Sequence, residues 1–147
     1  MIGAIIGDIV GSDYEFSNTS DYNFELFDRN CDFTDDTICT VAVADAILNQ
    51  TDYQTAMRQW CRKYPHPKGE YGSFFMNWVM RPDPYPYNSF GNGSAMRVSP
   101  VAWLFDNEAD VTEQARKSAA ITHNHPEGIK GAEPIASAIF RMRTASH

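Results

Sequence analysis

A chain of 147 residues that is 43% hydrophobic and 13% aromatic can bury one ordinary core, which excludes a disordered segment and makes a single domain over residues 1–147 the expectation. Its 19 acidic against 12 basic side chains give a net charge of -7, which speaks against a surface that tracks nucleic-acid phosphates and favours a cation as ligand. Cys31, Cys39 and Cys61 show no Cys-x-x-Cys spacing and read as reduced, buried thiols of a cytoplasmic protein, while Met1–Asp8 has no basic leader and reaches a charge far short of a membrane span.

Ile2, Ile5, Ile6 and Ile9 recur at helical spacing ahead of Gly11, so the first element is expected to be a short buried helix with a glycine stop, its Gly3 and Gly7 allowing close helix contacts. Thr34-Asp35-Asp36-Thr37 offers capping side chains before a helical stripe through Ile38, Val41, Ala42, Ala44 and Leu48. Tyr53, Ala56, Met57, Trp60, Cys61 and Tyr64 carry a third helix, which Pro65 and Pro67 end, and a short aromatic helix follows from Phe74 to Met80. Residues 81–93 hold three prolines and two glycines and must form a shaped loop. Asp110 with Glu113 suggests a capping box for a helix reaching Thr122, and Pro126 suits the first turn of a last helix to about Arg143. With no alternating strand pattern, the fold class is all-α, a compact multi-helix bundle.

Four segments carry chemistry. Phe33-Thr34-Asp35-Asp36-Thr37 gathers two carboxylates and two hydroxyls at one turn, the hard oxygen ligands that magnesium prefers; a cap plus a solvated aspartate explains the same letters. In Gly7-Asp8-Ile9-Val10-Gly11-Ser12-Asp13-Tyr14-Glu15, acids follow an apolar helix, as catalysts or as an interior hydrogen-bonding Asp8 and an ordinary exposed Glu15. Asn88-Ser89-Phe90-Gly91-Asn92-Gly93-Ser94-Ala95-Met96-Arg97 reads as a backbone nest for a pyrophosphate ahead of a helix N-terminus or as a generic glycine turn entering a helix. Thr122-His123-Asn124-His125-Pro126-Glu127-Gly128 is a polar cluster between helices, whose two histidines and distant cysteines lack the spacing of a zinc site.

In this order the segments resemble the ADP-ribosylglycohydrolase family, whose dinitrogenase-reductase-activating members share Gly-Asp-Ile-Val-Gly-Ser, Phe-Thr-Asp-Asp-Thr, Gly-Asn-Gly-Ser-Ala-Met-Arg and Thr-His-x-His-Pro-Glu-Gly. The resemblance runs from residue 2 to about residue 143 and corresponds to the family's N-terminal half. It implies a magnesium-dependent hydrolase that removes ADP-ribose from modified protein side chains through an N- or O-glycosidic bond. Thr34, Asp35 and Asp36 then hold one magnesium of a two-metal site, Glu15 and Asp36 serve catalysis, and Ser89, Phe90, Gly91, Asn92, Gly93 and His123, but not His125, contact ADP-ribose.

The family's second Asp-x-Asp-Thr segment has no counterpart, since no aspartate follows Asp110. A partial metal site is therefore expected, in a truncated product, an expressed fragment or one part of a split enzyme. Partners expected on this basis are an ADP-ribosylated protein or ADP-ribose, and either further copies of the chain or a complementing C-terminal chain, with no nucleic acid and no membrane. The readings from other classes are a non-catalytic ADP-ribose or nucleotide-binding module and an inactive, partner-binding relic.

Overall fold

A computed structural model describes residues 1–145, which form eight helices and no strand among the described residues. The helices are α1 (Ile2–Gly11), α2 (Asp35–Leu48), α3 (Tyr53–Lys63), α4 (Ser73–Met80), α5 (Gly93–Met96), α6 (Ser99–Leu104), α7 (Glu108–Ala120) and α8 (Pro126–Thr144). The all-α expectation holds. The nearest thing to a sheet is an isolated parallel bridge between Thr34 and Lys68.

α2 is the central helix because it is small and apolar on nearly every face. Ile38, Cys39, Thr40, Ala42, Val43, Ala44 and Ala46 are all buried, so neighbours approach it from several sides. α3 seats Met57 and Cys61 against it, and α6 brings Val101 and Ala102 to the same core. Val111, Ala115 and Ala119 of α7 and Ala132, Ala136 and Phe140 of α8 complete the core through the α7–α8 contact. The alanines at this seam let the two backbones come close. All three cysteines are free, and Cys39 and Cys61 are fully buried. Among the described residues no helix is long and apolar enough to cross a membrane.

Three sequence expectations need correction. α1 forms over the predicted residues but is not buried: none of its residues is, and Ile2 and Ile6 are 70% and 46% exposed. Its main packing partner is α2, so an all-round apolar helix has one face to bury and several left over. A Cβ at Gly3, Gly7 or Gly11 would meet nothing within 4 Å, so these glycines serve no close helix contact; Gly11 is the last helical residue and Ser12 the C-cap. The cap of α7 is not Asp110 but Asn107, whose Oδ1 accepts from Asp110 N at 2.9 Å while its Nδ2 donates to Asp110 Oδ2 at 2.6 Å. α6 carries no strong periodic signal in its six residues and was not foreseen.

The burial pattern separates two substitutions. Met57→Ala, at a fully buried position, is expected to cost roughly 2–5 kcal/mol in urea denaturation. Ile6→Ser is expected to change stability by no more than about 0.5 kcal/mol. Comparable losses from both would contradict the exposure of α1.

Candidate active site

The N-terminus of α2 is held by one carboxylate from α1. Asp8 Oδ2 accepts from Thr34 N at 2.9 Å, from Thr37 N at 3.2 Å and from the Thr37 hydroxyl at 2.5 Å, while Asp8 Oδ1 accepts from the Thr34 hydroxyl at 2.6 Å. Thr34 is the N-cap: its extended backbone turns its hydroxyl oxygen back to accept from Asp36 N at 3.2 Å. Asp8 thus has the interior hydrogen-bonding role weighed above, and it satisfies donors that a helix start otherwise leaves unpaired.

With Asp8 occupied, Asp35 and Asp36 are the free carboxylates of the first turn. The positive end of α2 favours them as anions, yet burial wins. Partial burial first, then the neighbouring Asp36, Glu15 and Asp8 charges, push the Asp35 carboxyl up to about 7. Burial followed by Asp8 and Glu15 pushes Asp36 to about 6. No lysine, arginine or histidine pairs with either among the described residues. Such a set lacks a cation.

Glu15 is positioned by a loop from a distant part of the chain. Gly69, at φ +80°, lies so close that a Cβ there would stand 2.8 Å from Glu15 Oε2. The left-handed backbone is what requires glycine there, since the carboxylate end of Glu15 could swing aside from a Cβ. Lys68 anchors this loop, its Nζ donating to Asn30 O at 2.6 Å and to Asp13 Oδ1 at 3.2 Å, beside the Thr34–Lys68 bridge. Glu15, Asp36, Thr34 and Asn92 line one cavity of about 330 Å³.

The glycine loop is fastened to the segment before α8. Ser89 N donates to Thr122 O at 3.2 Å, Asn88 N to Asn124 Oδ1 at 2.7 Å, and the buried Ser94 hydroxyl to Gly128 O at 2.6 Å. The fit is tight enough that a Cβ on Gly128 would come within 2.6 Å of Ser89 O, and one on Gly93 within 3.0 Å of His123 Cε1. His123 is buried and lines a second cavity of about 180 Å³ with Asp35, Ser89, Gly91, Asn92 and Gly93. His125 faces another task, its Nδ1 accepting from Glu127 N at 3.1 Å to cap α8. The two histidines thus stand apart, His123 in the cavity and His125 at the helix cap.

A third cavity, of about 490 Å³, adjoins the second through Gly72, Phe75, Tyr87, Ser89 and Gly91, and adds Phe74 and the exposed Phe90 to the walls. Asn92 lines both the first and the second. The three form a row of adjoining cavities, acidic at one end and aromatic at the other. Every sequence-nominated site residue lines it: Glu15, Thr34 and Asp36 at the acidic end, Asp35 and His123 in the middle, and Ser89, Phe90, Gly91, Asn92 and Gly93 along the loop. Sequence reasoning passed over Gly69, Tyr87 and Phe75, and gave Arg97, the last letter of the glycine motif, no role of its own. Gly69 sits in a Lys-Gly-Glu turn after two prolines, a turn signal with nothing to say what would lie over it.

The ADP-ribosylglycohydrolase family model matches residues 1–145. The chain belongs to the ADP-ribosylglycohydrolase family. It is 28% identical over 168 residues to the ADP-ribosylhydrolase ARH3 of Danio rerio, covering 95% of this chain and 45% of that protein. Against ARH3 of Homo sapiens and of Bos taurus it is 27% identical, covering 90% of the chain and 46% and 45% of those proteins. The chain thus spans less than half the length of the curated relatives it matches, and this ADP-ribosylglycohydrolase portion contains all four nominated segments.

The raised carboxyls give a pH dependence of stability. In the folded chain Asp35 and Asp36 keep their protons to about pH 7 and 6, whereas unfolded aspartates release them near 3.8. Their contribution is full below the unfolded value and is lost as pH rises through the folded values. With chelator present, the melting temperature of the wild-type chain relative to Asp35→Asn is expected to fall between pH 4 and pH 8. A difference that rises over that window would contradict the desolvation of Asp35.

Proposed function

We propose that the chain supplies the ADP-ribose-binding and first metal-binding part of an ADP-ribosylhydrolase, which cleaves the glycosidic bond between ADP-ribose and a modified protein side chain. The observation that carries this reading is the row of adjoining cavities, with Glu15 and Asp36 in the first, Asp35 and His123 in the second and Phe74, Phe75 and Tyr87 around the third. Aromatic walls suit a purine face. The glycine loop beside His123 suits the pyrophosphate, and the acids suit the ribose whose anomeric carbon reacts. The ADP-ribosylhydrolase activity that the ARH3 relatives are named for supports the same reading.

The donor set fits magnesium. Asp35 and Asp36 are half-buried carboxylates without a basic partner, and Thr34 Oγ keeps one lone pair after donating to Asp8 and accepting from Asp36 N. When bound, magnesium would supply a Lewis acid that orients ribose hydroxyls and an attacking water. Glu15 orients that water toward the anomeric carbon and accepts its proton as the new C–O bond forms. Asp36, in the same cavity, stabilises the positive charge that develops while the bond to the protein side chain breaks. The side chain leaves and ADP-ribose remains.

One observation favours a second reading, ADP-ribose binding without turnover by this chain alone. Among the described residues no group of three or more His, Cys, Asp or Glu is gathered to hold a metal, and no aspartate follows Asp110 to complete a pair. The exposed apolar residues of α1, Ile2 and Ile6, offer a surface for another copy or a complementing segment to cover.

The test is release of free ADP-ribose from an ADP-ribosylated protein by the purified chain, with magnesium and with chelator. Hydrolysis by the chain predicts magnesium-dependent release, abolished by Asp35→Ala or Asp36→Ala with loss of metal binding and slowed on the order of 100-fold by Glu15→Gln with binding spared. Binding of ADP-ribose with no release would establish the second reading. Unchanged metal affinity in both aspartate variants would refute the metal assignment.

A further inference from the structure

Arg97 is the most deeply buried cation of the chain, 1% exposed and without a carboxylate partner among the described residues. An unpaired charge in a core is costly, and it persists where something else depends on it. Its Nη2 donates to Ser118 O and to the Thr122 hydroxyl oxygen, each at 2.9 Å, while its Nε has no partner. Thr122 is fully buried, and its Oγ lies 2.8 Å from His123 Nδ1.

The direction of the last hydrogen bond follows from donor arithmetic. A guanidinium only donates, so Thr122 Oγ accepts from Arg97 and has one proton of its own to place. The remaining partner of that buried oxygen is His123 Nδ1. The hydroxyl therefore donates to Nδ1, which must present a lone pair. A neutral imidazole that accepts at Nδ1 carries its proton on Nε2. Burial and then the Arg97 charge push the His123 imidazolium down to about 4, which keeps the ring neutral at ordinary pH. The Cε1–Nε2 edge of the ring faces the glycine loop: a Cβ at Gly93 would lie 3.0 Å from Cε1 and 3.2 Å from Nε2, and one at Gly91 4.0 Å from Nε2.

We propose that Arg97 is a positioning residue that acts through Thr122 to fix His123 as the Nε2–H tautomer, making it an obligate hydrogen-bond donor to an acceptor oxygen of the ligand beside the glycine loop. The ligand half of this inference rests on the ADP-ribose reading of the cavities. The relay itself is a property of the ligand-free chain. It selects for ligands with a phosphate or ribose oxygen at that point and against those presenting a donor.

Two-bond proton–nitrogen correlation spectra of the full chain labelled with ¹⁵N-histidine test the relay at pH 7, with His123→Gln identifying the His123 signals. A pyridine-type Nδ1 and a pyrrole-type Nε2 are expected in the wild type. Thr122→Val, which keeps shape and removes the hydroxyl, should release the ring into a mixture of tautomers and weaken ADP-ribose binding roughly three- to tenfold. Thr122→Ser should restore both. Arg97→Lys should also mix the tautomers, and Thr122→Val decides the matter if that variant does not fold. A proton on Nδ1 in the wild type, or an unchanged tautomer in Thr122→Val, would overturn the relay whatever the chain binds. The expected signature without ADP-ribose binding would support the relay and overturn the ADP-ribose reading.

Discussion

The candidate site depends on the Asp8 carboxylate, which spends both oxygens on the start of α2. Four hydrogen bonds from two threonines fix where the first turn begins and how it is rotated. Their charged acceptor makes each stronger than a neutral pair. The rotation sends Asp36 toward Glu15 and Asp35 toward His123, so adjacent residues serve adjoining cavities. A helix held less firmly could turn its acids away from each other and relieve their repulsion. Asp8 prevents that, and their repulsion adds to burial in holding the carboxyls above their ordinary range.

The middle of the row of cavities is built by close contact. Gly128 and Gly93 let the glycine loop, His123 and the start of α8 share a space that a methyl group would fill, and Ser94 and Asn124 tie the pieces together. Arg97 lies beneath this junction, at the end of a short helix that begins in the loop. Loop, histidine and buried cation form one mechanical unit. In the proposed reading that unit holds the middle of the ligand while the α2 terminus works on its reactive end.

The sequence exposed most of this because the helices are periodic and punctuated: Thr34 before α2, Pro65 after α3 and Pro126 at the start of α8 marked real boundaries. The division between His123 and His125 was also legible, through the resemblance. Periodicity shows that a face is apolar without showing what covers it, which is why α1 was expected inside and lies at the surface. Asn107 was missed because an acid pair three residues on imitates a capping box. Gly69 and Arg97 were not legible because their roles arise from contacts 54 and 25 residues away, with Glu15 and Thr122.

The central claim is that the acids and the glycine loop serve one ligand. Calorimetric titration of ADP-ribose into the chain, in magnesium and again in chelator, measures this most directly. The account predicts saturable one-to-one binding that magnesium tightens, since one end of the ligand then meets the metal-bearing turn while the other stays on the loop. Absence of binding in both conditions, or binding indifferent to magnesium, would contradict it.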